Sequence, residues 1–301
     1  MELVADSICA LAESPVWHPS ESALYWCDID GRSVLRYREG RPVERWPTST
    51  EPGCLAPAAA GGLIVAMRDG LFRFDPNESS LAIRQRLLWP APYDRTRYRF
   101  NDGRCDPAGR FLASTLNEHK DAASAELYSM NCKDGHWRGV VLAGGVVTGN
   151  GLAFSPDGSR LYWADTRAHR IDVFDYDLAS GQLANRREFM QFSSKPASGN
   201  LSDYAGRPDG AAVDEEGCYW VAMYEGACVL RISPAGKILQ KLTMPVQCPT
   251  MVCFGGDDLK TLFVTSARAG RPAAELAVQP FAGSVFMTRV ATPGLPTNFF
   301  K

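Results

Sequence analysis

The sequence predicts an all-β fold, a six-bladed β-propeller with a central channel, built as one domain over residues 1–301. Three observations carry that prediction. Short β-branched or aromatic segments recur along the chain, each preceded by a turn. The unit they open returns at intervals of about 40 to 60 residues, the range in which propeller blades repeat. Finally, 27 Gly and 20 Pro punctuate the chain while amphipathic helical patterns are nearly absent. A β/α barrel would need long helices between its strands, and no segment reads that way.

In chain order the strand-like segments are ALYWCDI (23–29), LIVAMR (63–68), RFLAST (110–115), RLYWADT (160–166), CYWVAMY (218–224) and TLFVTSA (261–267). Each is followed by a second segment of similar character: SVLRYR (33–38), GLFRFD (70–75), AELYSM (125–130), RIDVFDYD (170–177), ACVLRI (227–232) and GSVFMT (283–288). Six such pairs give six blades, and closing them into a ring leaves only short, protected edges around a channel.

Composition narrows the function classes. The chain is 45% apolar and 22% charged, as in a soluble globular protein. Its 32 basic and 34 acidic residues sum to a net charge of −2, which supplies no field to attract a phosphate backbone, so nucleic acid is excluded as a partner. The first residues carry Glu2 and Asp6 where an export signal needs Lys or Arg. The longest greasy stretch, VVLAGGVV (140–147), is far short of the ~20 residues of a membrane helix. Nine scattered cysteines, with no Cys-x-x-Cys pair, read as reduced thiols in a cytoplasmic protein. A closed propeller is stable alone, so a monomer or weak homo-oligomer is expected.

Aligning the blades on the turn after the innermost strand brings one residue per blade into phase, five positions before the turn residue. These are Glu13 in ESPVWH, Asn101 in NDGRCD, Asn150 in NGLAFS and Asp209 in DGAAVD, with Thr250 and, in weaker register, Cys54 in the other two blades. Equivalent positions around one axis lie at equal height, so these side chains should converge at one mouth of the channel. Two carboxylates and two carboxamides make a hard oxygen set suited to a divalent cation. Asp and Asn also stabilise turns, which explains Asp157 in the hairpin SPDGSR but gives no reason for Glu13 to share the phase of the others.

These residues and motifs carry a resemblance. From LAESPVWHP through RFNDGRCDPAGRFLAST, TGNGLAFSPDG and RPDGAAVDEEG to CFGGDDLKTLFVTSAR, the chain resembles the SMP-30/gluconolactonase/regucalcin-like lactonases. The resemblance implies one divalent metal ion (Ca2+, Zn2+, Mn2+ or Mg2+) bound by Glu13, Asn150 and Asp209, with Arg99 and Asn101 contacting the substrate. It implies hydrolysis of a sugar lactone to the aldonic acid. The ion would polarise the lactone carbonyl and stabilise the oxyanion formed on attack. Asp209 would take the proton from the attacking water and return it to the ring-oxygen leaving group, while Arg99 offers its fork of donors to hydroxyls or oxyanion.

Asp102, beside Asn101, is a further candidate for substrate contact, as are Glu118 and His119 in TLNEHKDAAS, a loop that differs from the usual family pattern and leaves the sugar open. His136 and His169 read as exposed connections, and Trp17 as a wall of the pocket mouth. No histidine spacing fits a zinc site, and neither Cys248 nor Cys253 has a histidine placed to activate it. Two other readings of the same site stand beside the lactonase: a hydrolase of other esters, such as aryl esters or organophosphates, and a non-enzymatic calcium-binding regulatory protein.

Overall fold

Strands make up most of the chain in the computed structural model, which describes residues 1–197, 201 and 204–301. The first, β1 (Glu2–Leu3), is set apart from the rest. Four strands in sequence then form each of the first five sheets. Blade 1 holds β2 (Ala12–His18), β3 (Ala23–Asp28), β4 (Ser33–Tyr37) and β5 (Glu44–Pro47); blade 2 holds β6 (Pro52–Pro57), β7 (Leu63–Met67), β8 (Gly70–Phe74) and β9 (Gln85–Pro90). Blade 3 holds β10 (Tyr98–Cys105), β11 (Phe111–Asn117), β12 (Ala125–Lys133) and β13 (His136–Val146). Blade 4 holds β14 (Gly149–Phe154), β15 (Arg160–Asp165), β16 (Arg170–Asp177) and β17 (Gln182–Gln191). Blade 5 holds β18 (Arg207–Val213), β19 (Tyr219–Tyr224), β20 (Cys228–Ile232) and β21 (Ile238–Thr243).

Blade 6 has only three strands of its own, β22 (Pro249–Gly255), β23 (Thr261–Ser266) and β24 (Phe286–Arg289). Its outer place is taken by β1, antiparallel to β24, with Glu2 opposite Met287 and Leu3 opposite Phe286. The backbone then ties on through Val4 N–H to Val285 O at 2.9 Å and Cys9 N–H to Gly283 O at 2.9 Å. The chain ends therefore close the ring with hydrogen bonds. Among the described residues two short α-helices, α1 (Leu81–Arg84) and α2 (Ala273–Val278), and one 3-10 turn at Pro19–Glu21 interrupt the strands. The sequence signals neither α-helix, because four and six residues hold too few turns for an apolar period.

The apolar segments of the sequence are the second and third strands of each blade. They read as continuous runs because both faces are covered by neighbouring blades. In β3, Tyr25 packs toward blade 2 and Trp26 toward blade 6, both fully buried. Six hydrophobic clusters result, one in each interface between adjacent blades. Inner strands β2, β6, β10, β14, β18 and β22 neighbour one another in that order, and β22 returns to β2. All nine cysteines are free and eight are buried, Cys132 being exposed.

Candidate active site

The inner strands run side by side along the channel, and a cavity lies at each end of them. The end where they finish is lined by Trp17, Arg104, Cys105 and Phe254 and covered by Leu295–Asn298. There Thr297 Oγ1 donates to Trp17 O at 2.8 Å and Asn298 Nδ2 to Cys105 O at 3.2 Å. Trp17, expected at the site's mouth, thus belongs to the opposite end, stacked on Phe263 with centroids 5.9 Å apart.

The end where the strands begin gathers Glu13, Arg99, Asn101, Asn150 and Asp209 in one pocket. The local cause is the same in every blade: each inner strand carries one extra residue near its start. The register against the second strand shifts between Glu13 and Val16, Pro52 and Cys54, Phe100 and Gly103, Asn150 and Ala153, Pro208 and Ala211, and Pro249 and Val252. Such a bulge bends the strand and re-aims its side chains. The phase found by aligning the sequence is the phase of this bulge.

Two of the six in-phase residues take no part in the pocket. Cys54 is sealed in the packing between blades 2 and 3. Thr250 is fully buried, its Oγ1 donating to Ala12 O at 2.5 Å.

A chain of hydrogen bonds sets the two amides. Arg99 Nη1 donates to Asn101 Oδ1 at 2.8 Å, and Asn101 Nδ2 donates to Asn150 Oδ1 at 2.8 Å and to Gly149 O at 3.0 Å. Asn150 Nδ2 donates to Thr166 Oγ1 at 2.7 Å, and that hydroxyl donates to Pro208 O at 2.8 Å. Because Pro208 O can only accept, the Thr166 hydroxyl must accept from Asn150, which fixes the amide's orientation. One lone pair of Asn150 Oδ1 receives Asn101, leaving the other available.

Asp209, from blade 5, is buried and Glu13, from blade 1, is partly buried; blade 6 stands between them. Burial and the neighbouring charge of Asp209 push Glu13 well above the usual carboxylate range. Burial likewise pushes Asp209 well up, against the opposing pull of Arg207. Among the described residues neither has a cationic side chain within 4.0 Å; Arg99 and Arg207 lie nearer Glu118 (3.6 Å) and Glu225 (3.2 Å). No group of three or more His, Cys, Asp or Glu among the described residues is arranged to hold a metal ion. Here two carboxylates are supplemented by carboxamides, a hard oxygen set that fits a divalent cation.

Three residues proposed for substrate contact lie off the pocket wall. Asp102 is absent from the pocket lining and buried, with Oδ2 accepting from Leu152 N–H at 2.8 Å. Glu118 is held by Arg68 through two hydrogen bonds of 2.7 and 2.9 Å. His119 is exposed and absent from the pocket lining, its backbone N–H donating to Asn117 Oδ1 at 3.1 Å. His169, expected to be exposed, is buried with Nε2 2.5 Å from the Tyr204 hydroxyl.

The pocket wall also contains residues that the sequence reading passed over: Leu11, Thr148, Arg207, Lys120, Thr166, Arg167 and Tyr224. The first three had a readable signal. Leu11, Arg99, Thr148 and Arg207 each stand two positions before Glu13, Asn101, Asn150 and Asp209, and residues i and i+2 of a strand share a face. Lys120 and Arg167 come from connections between second and third strands, where no phase marks them.

Comparison with known proteins gives a consistent answer. Residues 11–268 match the model of the SMP-30/Gluconolactonase/LRE-like region. A 6-deoxy-6-sulfogluconolactonase of Pseudomonas putida is 41% identical over 292 residues, covering 96% of this chain and 94% of that protein. A regucalcin of Danio rerio is 35% identical, covering 95% and 93%. Among solved structures, a calcium-binding regucalcin from Agrobacterium tumefaciens superimposes with a TM-score of 0.88 at 23% identity, covering 99% of this chain and 96% of that one.

Proposed function

This chain belongs to the SMP-30/gluconolactonase/LRE-like family, and on that premise we propose that it hydrolyses a sugar lactone to the aldonic acid with the help of one divalent cation. The observation that carries this reading is the pair of carboxylates, Glu13 and the buried Asp209, facing one pocket with no cationic side chain within 4.0 Å of either among the described residues. The Pseudomonas putida relative is named for a lactone of a substituted gluconic acid, which supports the same bond as the target.

Glu13, Asn150 and Asp209 would hold the ion. When bound, it supplies Lewis-acid polarisation of the lactone carbonyl and charge stabilisation of the oxyanion. Asp209 acts as general base, accepting a proton from the water that attacks the carbonyl carbon, and then as general acid to the ring oxygen when the C–O bond breaks. Arg99, anchored through Nη1 to Phe100 O and Asn101 Oδ1, keeps its remaining donors for substrate oxygens. The relay through Asn101, Asn150 and Thr166 keeps the oxygen set in place before substrate arrives.

The test is acid release from a panel of aldonolactones with Ca2+, Zn2+, Mn2+ or Mg2+ supplied. Turnover abolished by EDTA and restored by one of these ions is expected, and no turnover under any of them overturns the reading. Metal-dependent thermal stability without turnover would instead favour a binding protein. Asp209→Asn should lower kcat by at least about 10²-fold, the usual scale for a general base, while the circular dichroism spectrum is unchanged. A folded, fully active variant would remove Asp209 from that role.

A further inference from the structure

The pocket is lopsided in charge. Its wall contains four cationic side chains, Arg99, Lys120, Arg167 and Arg207, against the two carboxylates Glu13 and Asp209. All four cations come from blades 3 to 5: Arg99 and Arg207 from inner strands, Lys120 from the β11–β12 connection and Arg167 from the β15–β16 connection. The carboxylates paired with its arginines are themselves shared with other cations. Glu118 is shared between Arg68 and Arg99. Glu225 is shared among Lys195 at 2.8 Å, Arg271 at 3.0 Å and Arg207 at 3.2 Å. Lys120 and Arg167 are exposed at the rim, and among the described residues neither has a carboxylate within 4.0 Å.

A neutral sugar gives such an arc nothing to pair with. Grouping cations around one arc of a small pocket costs mutual repulsion, which an anionic ligand relieves. We propose that the lactone carries an anionic substituent remote from its carbonyl, and that Arg167 and Lys120, with Arg207 behind them, select it. The inference rests on the lactonase reading and deepens it: the oxygen set of Glu13, Asn150 and Asp209 addresses the carbonyl end, while the cationic arc addresses the other end. Arg forks and Lys ammonium groups suit a sulfonate, a phosphate or a carboxylate alike. The nearby Thr148 and Thr166 offer hydroxyls on the same side of the wall.

The experiment compares kcat/KM for an unsubstituted aldonolactone with those for the same lactone bearing a terminal sulfonate, phosphate or carboxylate. At least one charged lactone should be preferred tenfold or more, mainly through KM, and the preference should shrink in 0.5 M NaCl through screening, on the order of severalfold. Arg167→Ala and Lys120→Ala should each reduce the charged-to-neutral ratio, the double variant by about tenfold. Equal values for charged and neutral lactones overturn the proposal, as does a ratio the double variant leaves unmoved.

Calorimetric binding of the corresponding aldonic acids, with and without the terminal sulfonate or phosphate, separates this proposal from the reaction assignment. Tighter binding of the doubly charged acid in a protein that turns over no lactone would retain the cationic arc and discard the lactonase. Equal binding of the two acids, alongside good turnover of the neutral lactone, would discard the arc and retain the lactonase.

Discussion

Asp157 and Asp209 both sit in a Pro-Asp-Gly tripeptide, and nothing else about them is alike. Asp157 lies on the surface and accepts hydrogen bonds from Ser155 and Ser159, the hydroxyl contacts being 2.5 and 2.7 Å, which lowers its carboxyl to about 2. It closes a hairpin. Asp209 is enclosed beside a bulge, and its carboxyl is pushed the other way. That direction has a consequence for stability. A carboxyl raised on folding binds more protons in the folded state than in the unfolded chain, so its contribution to metal-free stability falls as pH rises above the unfolded value near ~4. Glu13 behaves in the same sense. A divalent cation should therefore raise the melting temperature more at pH 7 than at pH 5. Glu13→Gln should raise the metal-free melting temperature at pH 7 by a few degrees while abolishing most of the metal-induced rise. A metal effect independent of pH, measured by calorimetry, would contradict the assignment.

At the scale of the element, the bulged inner strand determines what its residues can do. Gly151 follows Asn150 with φ of +62°, and a Cβ there would stand 2.3 Å from the Tyr219 hydroxyl, which itself donates to Gly151 O at 2.7 Å. Gly151→Ala combines a left-handed backbone with that clash. It should cost roughly 2–4 kcal/mol in denaturant unfolding, and a loss under 0.5 kcal/mol would show that the bulge relaxes easily. At the far end of β18 stands Asp214, fully buried, accepting from Trp220 Nε1 and Arg231 Nε, both at 2.8 Å. Removing one partner from a buried ion pair strands the other, so Asp214→Ala should destabilise by about 3–5 kcal/mol. Second and third strands are legible in sequence because both faces are apolar. Fourth strands such as β17 and β21 are mostly exposed, so their polar residues carry no burial pattern for a sequence reading to find.

For the whole molecule, closure is the central feature. The six clusters between blades cooperate only if the ring is complete, and β1 supplies the outer strand of a blade whose other strands lie at the opposite end of the chain. Deleting residues 1–9 removes β1, the Val4 and Cys9 backbone bonds and the Ser7 hydroxyl's 2.6 Å bond to Val4 O. It leaves β24 as an open edge. The shortened protein should melt several degrees lower and aggregate on heating, as followed by light scattering; a melting temperature unchanged within one degree would show that the ring holds without its closing strand.

The sequence alone determined the six-fold count of blades, their all-β character and the phase at which Glu13, Asn101, Asn150 and Asp209 stand, because repeated local patterns report repeated local structure. Tertiary structure alone decided which in-phase residues share a pocket: Thr250 and Cys54 occupy the same phase yet are consumed by packing. It also decided that Asp102 lies off the pocket wall, and that Lys120 and Arg167 from two different connections meet at one rim. The physical reason is common to all of these. A strand's own sequence fixes which face a side chain takes, whereas what that face meets depends on neighbouring blades dozens of residues away, and on a ring that the two ends of the chain must close.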